Sequence, residues 1–141
     1  MEKQISVDNW GKDHWSLLIF FETQVVDNKK QIDVRRIRIN EKKRGFTNGN
    51  ISSSWKDSYG TIQKDGSIAA EHDDIDVMNE LEAEGLCVNN FTEMNPIIEL
   101  TEKGFAVVAD IRKHKARGGN VKTFLYQELK YNDYSTEVVI S

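Results

Sequence analysis

The chain is poor in the residues that staple and punctuate small folds. Among 141 residues there is one cysteine, Cys87, and one proline, Pro96. A single cysteine excludes an internal disulfide and any zinc site built from cysteines. Lying between Leu86 and Val88, it reads as a small buried apolar residue. Long apolar runs are also missing. The longest, Leu17 to Phe21, falls far short of the roughly 20 residues that a membrane-spanning helix needs. The opening stretch Met1-Glu2-Lys3-Gln4-Ile5-Ser6-Val7 has no basic segment followed by an apolar one, so a signal peptide is not expected and the cytoplasm is.

An excess of positive charge is lacking too. Nineteen Lys and Arg face 23 Asp and Glu, a net charge of −4. That balance argues against bulk non-specific attraction to nucleic acid, which needs several cations on phosphates, but leaves a local basic face open. There is no P-loop, dinucleotide fingerprint, His-Glu-x-x-His or nucleophile elbow. No catalytic activity, cofactor or metal ion is therefore expected.

What is present fits one domain over residues 1–141, with enough chain for a core. From Asp74 to Gly119 the pattern reads helix, hairpin, helix. Ile75, Met78 and Leu81 recur at helical spacing. Asp73 or Asp74 can cap the start and Gly85 can end the helix in a left-handed conformation. Leu86-Cys87-Val88 forms a short strand, Asn89 to Asn95 a loop, and Pro96 opens the return strand. Thr101 can cap a second helix, with Phe105, Val108 and Ile111 on one face and Gly118-Gly119 at its end.

Earlier in the chain, Asp13 can cap a helix whose stripe holds Trp15, Leu18, Ile19, Val25 and Val26, with strand as the alternative. On the helix, Glu22 falls inside that stripe, so it must be paired, protonated or functional. Asp33 can cap a short helix, Val34 to Ile39. Arg35, Arg36, Arg38, Lys42, Lys43 and Arg44 then crowd together, opposed only by Glu41. They suit phosphates or an acidic protein face, or simply a solvated helix surface.

Residues 45–71 read as a long irregular insertion that carries Trp55 and Tyr59, although Tyr59 to Ile68 can instead form a hairpin with Asp65-Gly66 at its turn. Residues 120–141 read as an amphipathic extension through Val121, Phe124, Leu125 and Leu129, ending in Val138-Val139-Ile140. An end so apolar suits an edge strand or a homodimer contact. Asp13, His14, Glu22, His72 and Asp73 supply the residue types of a polar or O/N metal site, although capping also explains Asp73 and the spacing matches no metal motif.

The helix ending in Gly85-Leu86, the hairpin, and Leu100-Thr101-Glu102-Lys103-Gly104 before the next helix resemble the wing region of winged-helix transcription regulators. The resemblance implies an α+β, winged-helix-like domain, its core about 13–44 and 72–119. Several further pieces resemble a family of small phage and prophage proteins that brings no established activity with it. They are Trp10 to Ser16 with Glu22, Tyr59-Gly60-Thr61, His72-Asp73-Asp74, Leu100 to Gly104, and His114 to Gly119. That resemblance implies a phage-encoded regulator or a blocker of host machinery.

Three functional expectations follow. The first is nucleic-acid binding by Arg35, Arg36, Arg38, Lys42, Lys43 and Arg44, helped by Arg112, Lys113, Lys115 and Arg117. The second is a non-enzymatic inhibitor or adaptor of a host protein, such as an anti-CRISPR-like anti-defence factor, using Trp55 and Tyr59 as anchors. The third is a small-molecule or metal site around Asp13, His14, Glu22, His72 and Asp73.

Overall fold

The N-terminal segment folds because its backbone is tied off locally. Ser6 accepts from the Asp8 amide to start a 3-10 turn, Val7–Asn9. Helix α1, Lys12–Asp27, follows. A computed structural model describes residues 4–27, 29–32, 37–39, 60–90 and 97–131. Among them, three α-helices and two small antiparallel sheets make a mixed α+β architecture.

Strands β1 (Gly60–Ile62) and β2 (Ile68–Ala70) pair antiparallel, Gly60 opposite Ala70 and Ile62 opposite Ile68. Gly66 makes the turn at φ +89°, a conformation open to glycine, while the Asp65 carboxylate accepts from the amide and hydroxyl of Ser67. Helix α2, Asp74–Ala83, starts in a capping box. Asp73 accepts from the Asp76 amide and Asp76 from the Asp73 amide, both at 3.1 Å. Gly85, at φ +84°, turns the chain into β3 (Cys87–Asn90), which pairs antiparallel with β4 (Ile97–Leu100). Gln31 bridges to Ile97 on the other side of β4, and the Ile98 amide donates to the Lys30 carbonyl at 3.0 Å. Helix α3, Glu102–Ala116, is capped by Thr101, whose hydroxyl accepts from Gly104 N–H and donates to Gly85 C=O. A 3-10 turn at Glu128–Tyr131 closes the described chain.

The core lies where α1, α2, the β3–β4 ribbon and α3 meet. Leu18, Phe21, Val77, Met78, Leu81, Leu86, Ile98, Leu100, Val107 and Ile111 are fully or almost fully buried there. Cys87 is buried with them, and burial pushes its thiol pKa up. Gly104 lets α3 press onto the start of β3: a Cβ there would sit 2.0 Å from the Leu86 carbonyl oxygen.

The two capped helices and the ribbon lie where the sequence pattern puts them, and the hairpin alternative for Tyr59 to Ile68 is the arrangement observed over Gly60–Ala70. Several expectations are corrected. Asp13 lies inside α1 and does not cap it; its carboxylate accepts from the Ile62 amide of β1 at 2.7 Å. Trp15, Leu18 and Val25 of the expected stripe are buried and Ile19 half-buried, but Val26 is 61% exposed, and His14, Leu17 and Phe21 complete the buried face. Glu22 is off that face and half-buried, bonded to Arg112 of α3 at 2.5 Å.

Ile37, Arg38 and Ile39 are not helical. The Arg38 amide donates to Asp74 Oδ2 and the Asp74 amide to the Arg38 carbonyl, so side-chain and backbone bonds to α2 take the place of helical ones. Their two isoleucines are buried on either side of Arg38. Asn89 and Asn90 belong to β3, not to a loop. In the C-terminal segment Phe124 and Tyr131 are buried, but Leu125 is 61% and Leu129 86% exposed, so the expected stripe does not form.

Candidate functional site

Two polar regions stand out, one inside the fold and one on its surface. The inner one is built on Glu80, which α2 turns inward beside Val77 and Leu81. Its Oε1 is 2.7 Å from His14 Nε2 of α1, and its Oε2 is 2.7 Å from His72 Nε2 and 2.7 Å from the amide of Ile5. Four segments therefore meet within hydrogen-bond reach of one side chain: the N-terminal segment, α1, the turn before α2, and α2 itself. A fifth joins through Thr61 of β1. Its hydroxyl donates to the His72 carbonyl at 2.8 Å and so accepts from His72 Nδ1 at 2.7 Å.

His14 is bonded on one side only. Nε2 faces Glu80, while Nδ1 is buried without a hydrogen-bond partner. The ring stacks on Trp10, centroids 4.7 Å apart and planes 9° apart, and Trp10 Nε1 donates to the Ile5 carbonyl at 3.0 Å. Desolvation by burial pulls the His14 pKa below its ordinary value, outweighing the opposite pull of Glu80 and Asp13. For Glu80, burial pushes upward, but the bonds from His14, His72 and Ile5 together hold its carboxyl below the usual range.

Beside this network Arg38 bridges two carboxylates, at 3.3 Å from Asp13 and 3.2 Å from Asp74, facing a cleft of about 310 Å³ lined also by Ser16, Leu17 and Phe20. Burial raises the Asp74 pKa despite Arg38, while Asp74 and Asp13 outweigh desolvation at Arg38 and raise the guanidinium's. Arg38 is thus held by two carboxylates, its side chain 31% exposed toward the cleft.

Of the candidate polar set, Asp13, His14, His72 and Asp73 gather at this end of the molecule, whereas Glu22 lies on the face of α1 toward α3. Among the described residues no three such groups are arranged to hold a metal ion. Sequence reasoning missed Glu80, the centre of the network. One signal was there: Glu80 follows Val77 by three and precedes Leu81, which puts a carboxylate on the apolar face of α2.

The surface region is the end of α3. From Arg112 to Lys122 the chain carries Arg112, Lys113, Lys115, Arg117 and Lys122 and no acid. Arg112 pairs with Glu22. Lys113, Lys115, Arg117 and Lys122 are exposed, Lys113 lying near enough to Asp110 to favour its carboxylate. Gly119 packs on the His114 ring, and His114 Nε2 lies 2.7 Å from the Thr123 hydroxyl, which folds the following loop back along the helix. Lys130 and the Tyr131 hydroxyl both bond to Asp110 nearby, beside a cleft of about 360 Å³ that Lys113 and Arg117 also line. Arg35, Arg36, Lys42, Lys43 and Arg44, with Trp55 and Tyr59, lie outside the described residues.

No protein-family model, no curated protein and no solved structure matches the chain. Among the described residues no helix is long and apolar enough to cross a membrane.

Proposed function

We propose that the chain is a winged-helix-like module of phage type, without catalysis of its own, that binds the phosphate backbone of nucleic acid through the end of α3. The order of elements supports the winged-helix-like part: α1, the extended Gln31 against β4, α2, the β3–β4 ribbon, then α3. The observation that carries the binding part is the acid-free run from Arg112 to Lys122, with Lys113, Lys115, Arg117 and Lys122 exposed.

The manner of binding departs from groove reading. In helix-turn-helix regulators the second, recognition helix lies in the major groove. The helix before the ribbon here is α2, which carries Asp74, Asp76, Glu80 and Glu82 and no cation. Its Asp74, Asp76 and Glu80 are buried and Glu82 is exposed, so it repels phosphate. Contacts to phosphate position a protein without reading sequence. Binding is therefore sequence-independent and salt-sensitive.

Fluorescence anisotropy on labelled duplex DNA and RNA tests this. Four phosphate contacts give a slope of log affinity against log salt of roughly −3 to −4 on duplex DNA. The quadruple change K113Q/K115Q/R117Q/K122Q should flatten it. Absence of binding to any duplex at low salt removes the reading.

A second reading, an inhibitor or adaptor of a host protein, is favoured by Leu125 and Leu129, which stand exposed just past the basic run. A pull-down from host lysate without a stoichiometric partner counts against it.

A further inference from the structure

The Glu80 junction has a feature that structural bonding alone does not need: a buried imidazole with an empty acceptor position. His14 is fully buried and its Nδ1 lone pair meets no donor among the described residues. Around it, α2 presents Glu80, the turn before α2 presents His72, and α1 itself presents Asp13. Strand β1 contributes only the Thr61 hydroxyl, through His72, and the N-terminal segment contributes the Trp10 ring and the Ile5 peptide. None of these offers an acceptor to Nδ1. A proton arriving there makes an imidazolium whose second N–H has nowhere to point. Glu80, Asp13 and the face of Trp10 attract the charge, but desolvation opposes it more strongly.

The segments held at this junction are also tied to each other. Trp10 bridges to Gln63, the Asn9 side chain reaches the Gln63 side chain at 2.6 Å, and the Lys64 amide donates to the Asn9 carbonyl at 2.9 Å. The N-terminal segment and the β1–β2 hairpin thus form one unit. To α1 and α2 it is fastened by Ile5 N–H to Glu80, Ile62 N–H to Asp13 and Thr61 through His72, and by the Trp10 ring, which lies on His14 and against Trp15. Ile5 and Trp10 are the only two residues that the unit adds to the buried apolar core among the described residues, whereas α2, the ribbon and α3 supply Val77, Met78, Leu81, Ile98, Leu100, Val107, Val108 and Ile111.

We propose that the His14–Glu80–His72 junction is a proton-operated latch: one proton entering at His14 releases the N-terminal segment and the β1–β2 hairpin together, while α2, the ribbon and α3 stay folded. The proton comes from solvent and adds to Nδ1, since Nε2–H is already given to Glu80. The ring is then most easily hydrated by letting the unit that covers it swing away. This inference does not depend on what the end of α3 binds.

Native-state hydrogen exchange on the full chain between pH 7.5 and 5 tests it, with the Ile5 and Ile62 amides reporting on the latch and Val108 in α3 on the core. After correction for intrinsic exchange rates, opening at Ile5 and Ile62 should rise by about tenfold per pH unit below about 6.5, the slope for one proton. Val108 should not follow. Trp10 emission should shift to longer wavelength over the same range as the ring, 3% exposed in the closed form, comes into water. His14→Gln, which keeps an N–H donor for Glu80 and cannot titrate, should remove the slope. Equal exchange of Ile5, Ile62 and Val108 at every pH overturns the latch, as does a slope that survives in H14Q. Should H14Q not fold, the wild-type comparison of those three amides decides by itself.

Discussion

The Glu80 junction and the end of α3 are both dense in ionisable groups, and they use them in opposite ways. At the junction, His14, His72 and Glu80 are buried, and Glu80 binds both imidazoles and the Ile5 amide. At the end of α3, Lys113, Lys115, Arg117 and Lys122 are exposed to water. Arg38 and Arg112 show how little type alone says. Both are arginines of the candidate basic set, yet one is clamped between Asp13 and Asp74 and the other held by Glu22. Whether a charge is available depends on what faces it.

The largest effect should come from breaking the junction. Glu80→Ala leaves two imidazoles and the Ile5 amide facing a void, and the expected loss is about 3–5 kcal/mol in urea unfolding. Gly104→Ala tests the apolar half on its own. Its methyl would meet the Leu86 carbonyl at 2.0 Å, and overpacking of this kind costs about 1–3 kcal/mol, with no change in pH dependence.

Solution pH sharpens the contrast next. The folded His14 pKa lies below its ordinary 6.5, so as pH falls through that value the unfolded chain takes up a proton that the folded one refuses. Stability should decline by up to about 1.4 kcal/mol per pH unit there, measured as a shift of the urea midpoint. Glu80 acts lower: with its folded carboxyl held down, its contribution is full above the ordinary carboxylate value and is lost as pH drops beneath it. The smallest effect on folding belongs to the surface. Gln at Lys113, Lys115, Arg117 or Lys122 should each move stability by no more than about 0.5 kcal/mol. Each should lower the salt slope of nucleic-acid binding by about one.

How much of this could be read beforehand follows the range of the interactions. Asp73, Gly85, Thr101 and Gly118 act on backbone within a few residues, and the helix ends they mark are where the pattern puts them. The stripe of α1 was less legible. Val25 and Val26 are equally apolar, and only the packing of α2 and α3 on the opposite side leaves Val26 in water. Asp13 has the chemistry of a cap, but a strand some 50 positions away in sequence recruits it instead.

The sequence by itself determined the helix, ribbon and helix between Asp74 and Ala116, because caps, glycine turns and apolar spacing are local instructions. It also determined that the basic run after Arg112 contains no acid of its own. Only the tertiary structure decided that His14, His72 and Glu80 would share one site and that Arg38 would be neutralised. Those outcomes rest on contacts between residues 8 to 66 apart, whose pairing no local spacing can state.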